Sequence, residues 1–226
     1  MTAHAPLPFA PRAVCFDMDG LMLDSERVLL ECWRETAHAH GAAVDDALWL
    51  AMVGLHEAAC RTLLHEALGA AAGDALRADA EARYARRVAS GLPLKPGVFA
   101  LLDLLAARGI PRAVVTSTRR ERALVKLQTA ALLPHFSAVV AGGDVASPKP
   151  APDPYLLAAE RLGVAAGHCL VLEDSAPGVR AALAAGMTPI QVPDLVPPDA
   201  TTRALGHRVV DSLHDAHALL LAVLEA

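Results

Sequence analysis

Residues 13–16, Ala-Val-Cys-Phe, are an apolar run between a proline-containing lead-in and an acidic, glycine-containing turn, the pattern of a buried strand ending at Asp17. From Ser25 to about Ser90 the spacing becomes helical: 26–40, 45–52, 57–68 and 74–89 read as helices separated at Gly41, Gly54, Gly69 and Gly73. After the segment GLPLKPG at 91–97 the rhythm changes again. Helices at 98–108, 120–131, 154–162 and 177–185, with a last one near 212–224, alternate with strands at 112–116, 138–141, 169–173 and 189–192. Such alternation predicts a parallel sheet with helices on both faces, and the isolated first strand belongs most naturally to that sheet. The expected fold is α/β: a doubly wound, Rossmann-like core from 1–24 and 93–226, with an α-helical insertion at 25–92.

A chain of 226 residues has room for one sizeable core and a smaller appendage. Hydrophobic residues make up 54% and aromatics only 4%, so the core is expected to be mostly Ala, Leu and Val. A net charge of -5 argues against attraction to a phosphate backbone, and nucleic acid is not an expected partner. The four cysteines, Cys15, Cys32, Cys60 and Cys169, form no C-x-x-C pair and suit reduced thiols. Prolines interrupt the N-terminal segment, and charges interrupt every stretch of about 20 residues, so neither secretion nor membrane insertion is expected. The expected location is cytoplasmic; oligomeric state is not legible in the sequence.

In open α/β sheets ligands bind outside the carboxyl ends of the strands, and the residues there are polar. The first strand leads into Asp17-Met18-Asp19-Gly20, the second into Thr116-Ser117-Thr118, the fourth into Glu173-Asp174, and a loop between them carries Ser147-Pro148-Lys149-Pro150. Each has an ordinary structural reading. D-x-D-G is commonly a solvated turn, T-S-T a strand end with a helix N-cap, Lys149 a loop lysine, and Glu173-Asp174 an acidic helix start. A calcium EF-hand loop is excluded, because Gly20 comes two positions too early and Val28 stands where the terminal Glu belongs. All four groups at one sheet edge can form a magnesium–phosphate site: carboxylates suit a hard cation, and a hydroxyl and an ammonium suit phosphate oxygens.

The motifs FDMDGLMLDSE, VVTST, SPKPAPDPY and VLEDSAPGVRAALAAGM resemble, in order, those of the haloacid dehalogenase superfamily, in its phosphatase and β-phosphoglucomutase-like branch with a helical cap. The resemblance covers essentially the whole chain. It implies that Asp17 is the nucleophile and Asp19 the general acid/base, that the Thr116 hydroxyl, the Ser117 backbone N–H and Lys149 hold phosphate, and that Asp174, with Glu173 beside it, joins Asp17 and Asp19 around Mg2+. It makes 25–92 the cap and points to its turn, Gly54, Leu55, His56 and Glu57, as setting substrate specificity. The implied activity is magnesium-dependent hydrolysis of a small phosphomonoester, such as a sugar phosphate, through an aspartyl phosphate.

Two other functions compete with that one: a phosphomutase, and a non-catalytic phosphoacceptor domain. A phosphoacceptor needs neither a leaving-group acid nor a lid, and Asp19 and the insertion would supply both. The mutase-like pattern carries a histidine where this chain has Leu29, and cations around the cap-turn glycine where this chain has Val53 and Glu57. Water is therefore the expected phosphoryl acceptor.

Overall fold

In the computed structural model the described residues are 7, 9–52 and 57–225, Glu57 through its backbone alone. The first strand, β1 (Ala13–Phe16), is followed by four helices: α1 (Ser25–Ala39), α2 (Asp46–Met52), α3 (Glu57–Leu68) and α4 (Ala70–Ser90). Alternation begins with α5 (Val98–Ala107), β2 (Arg112–Arg119), α6 (Arg120–Thr129) and β3 (Ala138–Gly142). It continues through α7 (Asp153–Leu162), β4 (Cys169–Glu173), α8 (Ala176–Ala184), β5 (Thr188–Gln191), α9 (Ala200–Arg203), β6 (Arg208–Val209) and α10 (Leu213–Leu224).

The strands form one sheet in the order β3-β2-β1-β4-β5-β6, with every pairing parallel. The chain winds outward from β1 in one direction and then in the other, so β1 stands at the topological switch point, where such sheets bind ligands. Side chains alternate across the sheet as the period of two requires. Val14 and Phe16 join Val114, Leu170, Leu172 and Ile190 beneath α5, α6 and α10. Ala13 and Cys15 join Ala113, Val115 and Val171 beneath α7 and α8.

Helices α1–α4 have a core of their own, with Trp33 stacked on Trp49 at 5.5 Å between ring centroids, alongside Met52, Leu64 and Leu76. Burying each Leu-sized side chain is worth about 1.5–3 kcal/mol. The chain leaves and re-enters the α/β core through two adjacent segments, which an antiparallel bridge joins at Leu23 and Leu94 and which the Asp24 N–H to Pro93 carbonyl bond ties again.

The expected break at Gly73 is corrected: α4 runs through it from Ala70. A Cβ at Gly73 would come within 3.1 Å of the Leu64 carbonyl, so this glycine allows α3 and α4 to approach closely and does not end a helix. Strand β2 extends beyond the expected Thr116 to Arg119, with a register irregularity between Val115 and Arg119. Helix α9 and strand β6 were not expected, since four and two residues show no period. Among the described residues no helix is long and apolar enough to cross a membrane.

Candidate active site

Asp17 follows β1 directly, its N–H donating to the Leu172 carbonyl of β4 at 3.0 Å. The chain then turns back: the N–H groups of Met22 and Leu23 both donate to the Met18 carbonyl, and that of Gly20 to the Leu23 carbonyl. This turn places Asp17 and Asp19 at the carboxyl edge. Gly20 is required twice, because its φ is +80° and because a Cβ there would run into the Asp174 carboxylate.

Lys149, from the loop between β3 and α7, reaches the same edge. Its Nζ donates to Asp17 Oδ1 and Glu173 Oε1, both at 2.6 Å, and to the Val115 carbonyl at 2.8 Å. All three ammonium hydrogens thus have an acceptor. Burial alone would lower its pKa, but Asp17 and Glu173 raise it above the ordinary lysine value, so it stays charged. Glu173 is fully buried: Oε1 also accepts from the Tyr155 hydroxyl at 3.0 Å, and Oε2 from the Ser175 N–H and hydroxyl, both at 2.9 Å. Burial opposes its ionisation, yet Lys149 and then the Ser175 bonds hold its pKa below the ordinary value.

Thr116 is buried, and its Oγ1 accepts from the Thr118 N–H at 3.0 Å, leaving its own hydrogen for another acceptor. Ser117 is exposed at the same strand end. Asp19 has two partners: Thr118, the last residue of the T-S-T segment, donates its Oγ1 to Oδ2 at 2.7 Å, and Lys126 from α6, which no motif announced, donates its Nζ to Oδ1 at 2.6 Å. Burial would raise its pKa; the Lys126 charge, that bond and the Thr118 bond together bring it below the usual carboxylate value. Lys126 offered no signal in the sequence, since a lysine within a charged helix ordinarily reads as solvated. Arg120, the first residue of α6, pairs with Asp144.

The expected magnesium can be tested against this donor set. Among the described residues no three His, Cys, Asp or Glu side chains form a ready-made metal cluster. Mg2+ does not need one, because it ordinarily takes one or two carboxylates and keeps waters or substrate oxygens. Four carboxyls, Asp17, Asp19, Glu173 and Asp174, face two ammonium groups, Lys126 and Lys149. Burial, then the Glu173 and Asp17 charges, push the Asp174 carboxyl well above the usual range. Burial likewise pushes Asp17 up to about 7 against the pull of Lys149. A cation between Asp17 and Asp174 relieves this repulsion, and the residues fit the ion. The cap-turn positions Gly54, Leu55 and His56 lie outside the described residues, as does the Glu57 side chain.

A family profile, haloacid dehalogenase-like hydrolase, matches residues 11–186, and the chain belongs to that family. It is 33% identical over 218 residues to the phosphorylated carbohydrates phosphatase of Thermotoga maritima, covering 93% of this chain and 90% of that protein. The crystal structure of a candidate β-phosphoglucomutase from Thermotoga maritima superposes with a TM-score of 0.79 at 28% identity, covering 95% of this chain and 99% of that one. A haloacid dehalogenase-family hydrolase of Deinococcus radiodurans, solved with bound phosphate and sodium, gives 0.78 at 28% identity, covering 96% of each.

Proposed function

We propose that this phosphoric monoester hydrolase releases phosphate from a small phosphorylated metabolite, a sugar phosphate or a close chemical relative, with Mg2+ and through a phosphorylated Asp17. The observation that carries the reading is the arrangement at the end of β1: Asp17 held by Lys149 at 2.6 Å, with a second carboxyl, Asp19, on the same turn. A carboxylate approaching a phosphate dianion meets like-charge repulsion; Lys149 offsets part of it, and Mg2+, when bound, would neutralise phosphate charge and favour ionised Asp17. Asp17, Asp174 and the Asp19 carbonyl would hold the ion. Glu173, whose oxygens are engaged by Lys149, Tyr155 and Ser175, would act by fixing Lys149 in place.

In the first step an Asp17 carboxylate oxygen bonds to phosphorus as the ester P–O bond breaks, and Asp19, ionised at rest but taking up a proton as the bound phosphate dianion raises its pKa, gives that proton to the departing alkoxide. Water then attacks phosphorus, Asp19 takes its proton, and the aspartyl P–O bond breaks to return the Asp17 carboxylate and orthophosphate. The Thr116 hydroxyl, the Ser117 N–H and Lys149 would hold phosphate oxygens through both steps. Helices α1–α4 would form the cap over the strand ends, and Gly54, Leu55, His56 and Glu57 would set part of its specificity. The relative acting on phosphorylated carbohydrates supports the substrate class. Buried free thiols at Cys15, Cys32 and Cys169 suit a reducing, cytoplasmic setting.

The likeness to a candidate β-phosphoglucomutase makes phosphomutase the competing reading. Against it, Leu29 stands where that pattern has a histidine and packs, partly buried, on the apolar core of α1–α4. A panel of phosphorylated sugars assayed with Mg2+ should give phosphate release, and Asp17→Asn should reduce it by about 10³-fold or more. Glucose 1-phosphate with a bisphosphate primer should give no appreciable glucose 6-phosphate. Isomerisation faster than phosphate release would reverse the assignment in favour of the mutase.

A further inference from the structure

A lysine on a charged, amphipathic helix is ordinarily solvated, because its ammonium is expensive to remove from water. Lys126 is only 6% exposed. It is held from two directions. On the core side its Nζ donates to Asp19 Oδ1 at 2.6 Å, while Thr118, from β2, takes Oδ2. On the other side the ring of Tyr84 lies with its centroid 5.2 Å from Nζ, a cation–π distance. Tyr84 belongs to α4, the last helix of the insertion, which packs on α6. One ammonium group therefore stands between the carboxyl that handles the proton and the element that would move as a lid.

We infer that Lys126 is a positioning residue that sets the placement of the Asp19 carboxylate and makes it depend on the seating of α4; this rests on the phosphatase reading above. With α4 seated, Tyr84 closes one side of the Lys126 site, water is kept from the ammonium, and its bond to Asp19 is at its strongest. With α4 displaced, the ammonium regains water and its hold on Asp19 weakens. Asp19 is then correctly placed for proton transfer only when the insertion covers the site, which limits turnover in an open, wet site.

The test separates a step that needs the proton from one that does not. A p-nitrophenolate leaving group departs without protonation, whereas the alkoxide of a sugar phosphate requires it. Both esters share the second step, in which Asp19 takes the proton of water, so the comparison is made on the first step alone, as the single-turnover rate of phenol or alcohol release with enzyme in excess. The two probes are p-nitrophenyl phosphate and the sugar phosphate turned over fastest in the panel above. Lys126→Met should lower this first-step rate on the sugar phosphate by about 10- to 100-fold, raise the aryl-to-alkyl ratio of the two rates at least about tenfold, and leave both KM values within about threefold. Lys126→Arg should recover part of the loss. Tyr84→Leu should shift the ratio in the same direction, and Tyr84→Phe, which keeps the ring but loses the hydroxyl that also meets Lys126, should shift it less than Tyr84→Leu does. Equal losses of this single-turnover rate on both esters, or an unchanged rate on the sugar phosphate, in a variant with wild-type circular dichroism would overturn the inference. Asp17→Asn, assayed in parallel, separates the two failures. If it is as active as wild type, or wild type releases no phosphate, the phosphatase reading falls and takes this inference with it. If it is inactive while Lys126→Met keeps the wild-type ratio, only the positioning role falls.

Discussion

A methyl group at position 178 would overlap the Glu173 carboxylate, and one at position 20 would overlap that of Asp174. The glycines of the first and fourth motifs are thus explained by the acids packed against them. Gly178→Ala should destabilise the fold by about 1–3 kcal/mol, the range for overfilling a packed site. That corresponds to a drop of roughly 2–12 °C in Tm. Gly167→Ala is the control, since nothing lies within 4 Å of its added carbon, and its Tm should be unchanged within about 2 °C. Equal melting temperatures for the two variants would remove the steric account. Motif residues such as Asp17, Lys149 and Glu173 could be placed from the sequence because a strand end and a turn announce them. Tyr84 and Lys126 could not, because their parts depend on contacts such as the one joining positions 19 and 126, which no local pattern encodes; Thr118 and Tyr155 lie within quoted motifs, but their partners, Asp19 and Glu173, are set by the fold.

At the scale of elements, the alternation after residue 97 was legible because buried parallel strands read as short apolar runs between helical stretches. The start of α4 was misplaced because a glycine inside a helix looks like a break until the neighbouring helix is seen. Its close approach to Leu64 makes a sharp expectation possible. Gly73→Leu must push α3 from α4 and should cost about 1–3 kcal/mol despite the better helix propensity of leucine. Chemical denaturation checks this through the midpoint; a variant as stable as wild type would mean that the helices separate without loss. The short elements α9 and β6 lie where the chain has too few residues for periodicity to speak, and β6 adds an outer edge to the sheet beyond β5.

For the molecule as a whole, the balance of charge at one sheet edge would link stability to the proposed Mg2+. In the absence of a divalent cation the four carboxyls repel, and Asp174, whose carboxyl is pushed well above its usual range, bears much of that strain. Asp174→Asn should therefore melt higher than wild type in EDTA. Saturating Mg2+ should stabilise wild type, by about 2.7 kcal/mol at one hundred times its Kd, and leave Asp174→Asn nearly unmoved. Calorimetry with and without Mg2+ measures both effects. A wild-type Tm indifferent to Mg2+, or a variant that responds equally, would remove Asp174 from the ion's ligands. Activity should follow the same course, lost in EDTA and restored by added Mg2+.

In the proposed reaction Asp17 carries the phosphoryl group between substrate and water. The most direct measurement is rapid acid quenching of the enzyme with Mg2+ and p-nitrophenyl [32P]phosphate, followed by mapping of any protein-bound label. The account predicts transient label, released by hydroxylamine as an acyl phosphate is, on the peptide containing Asp17, and none in Asp17→Asn. Label on another residue, or steady phosphate release by Asp17→Asn at the wild-type rate, would contradict it.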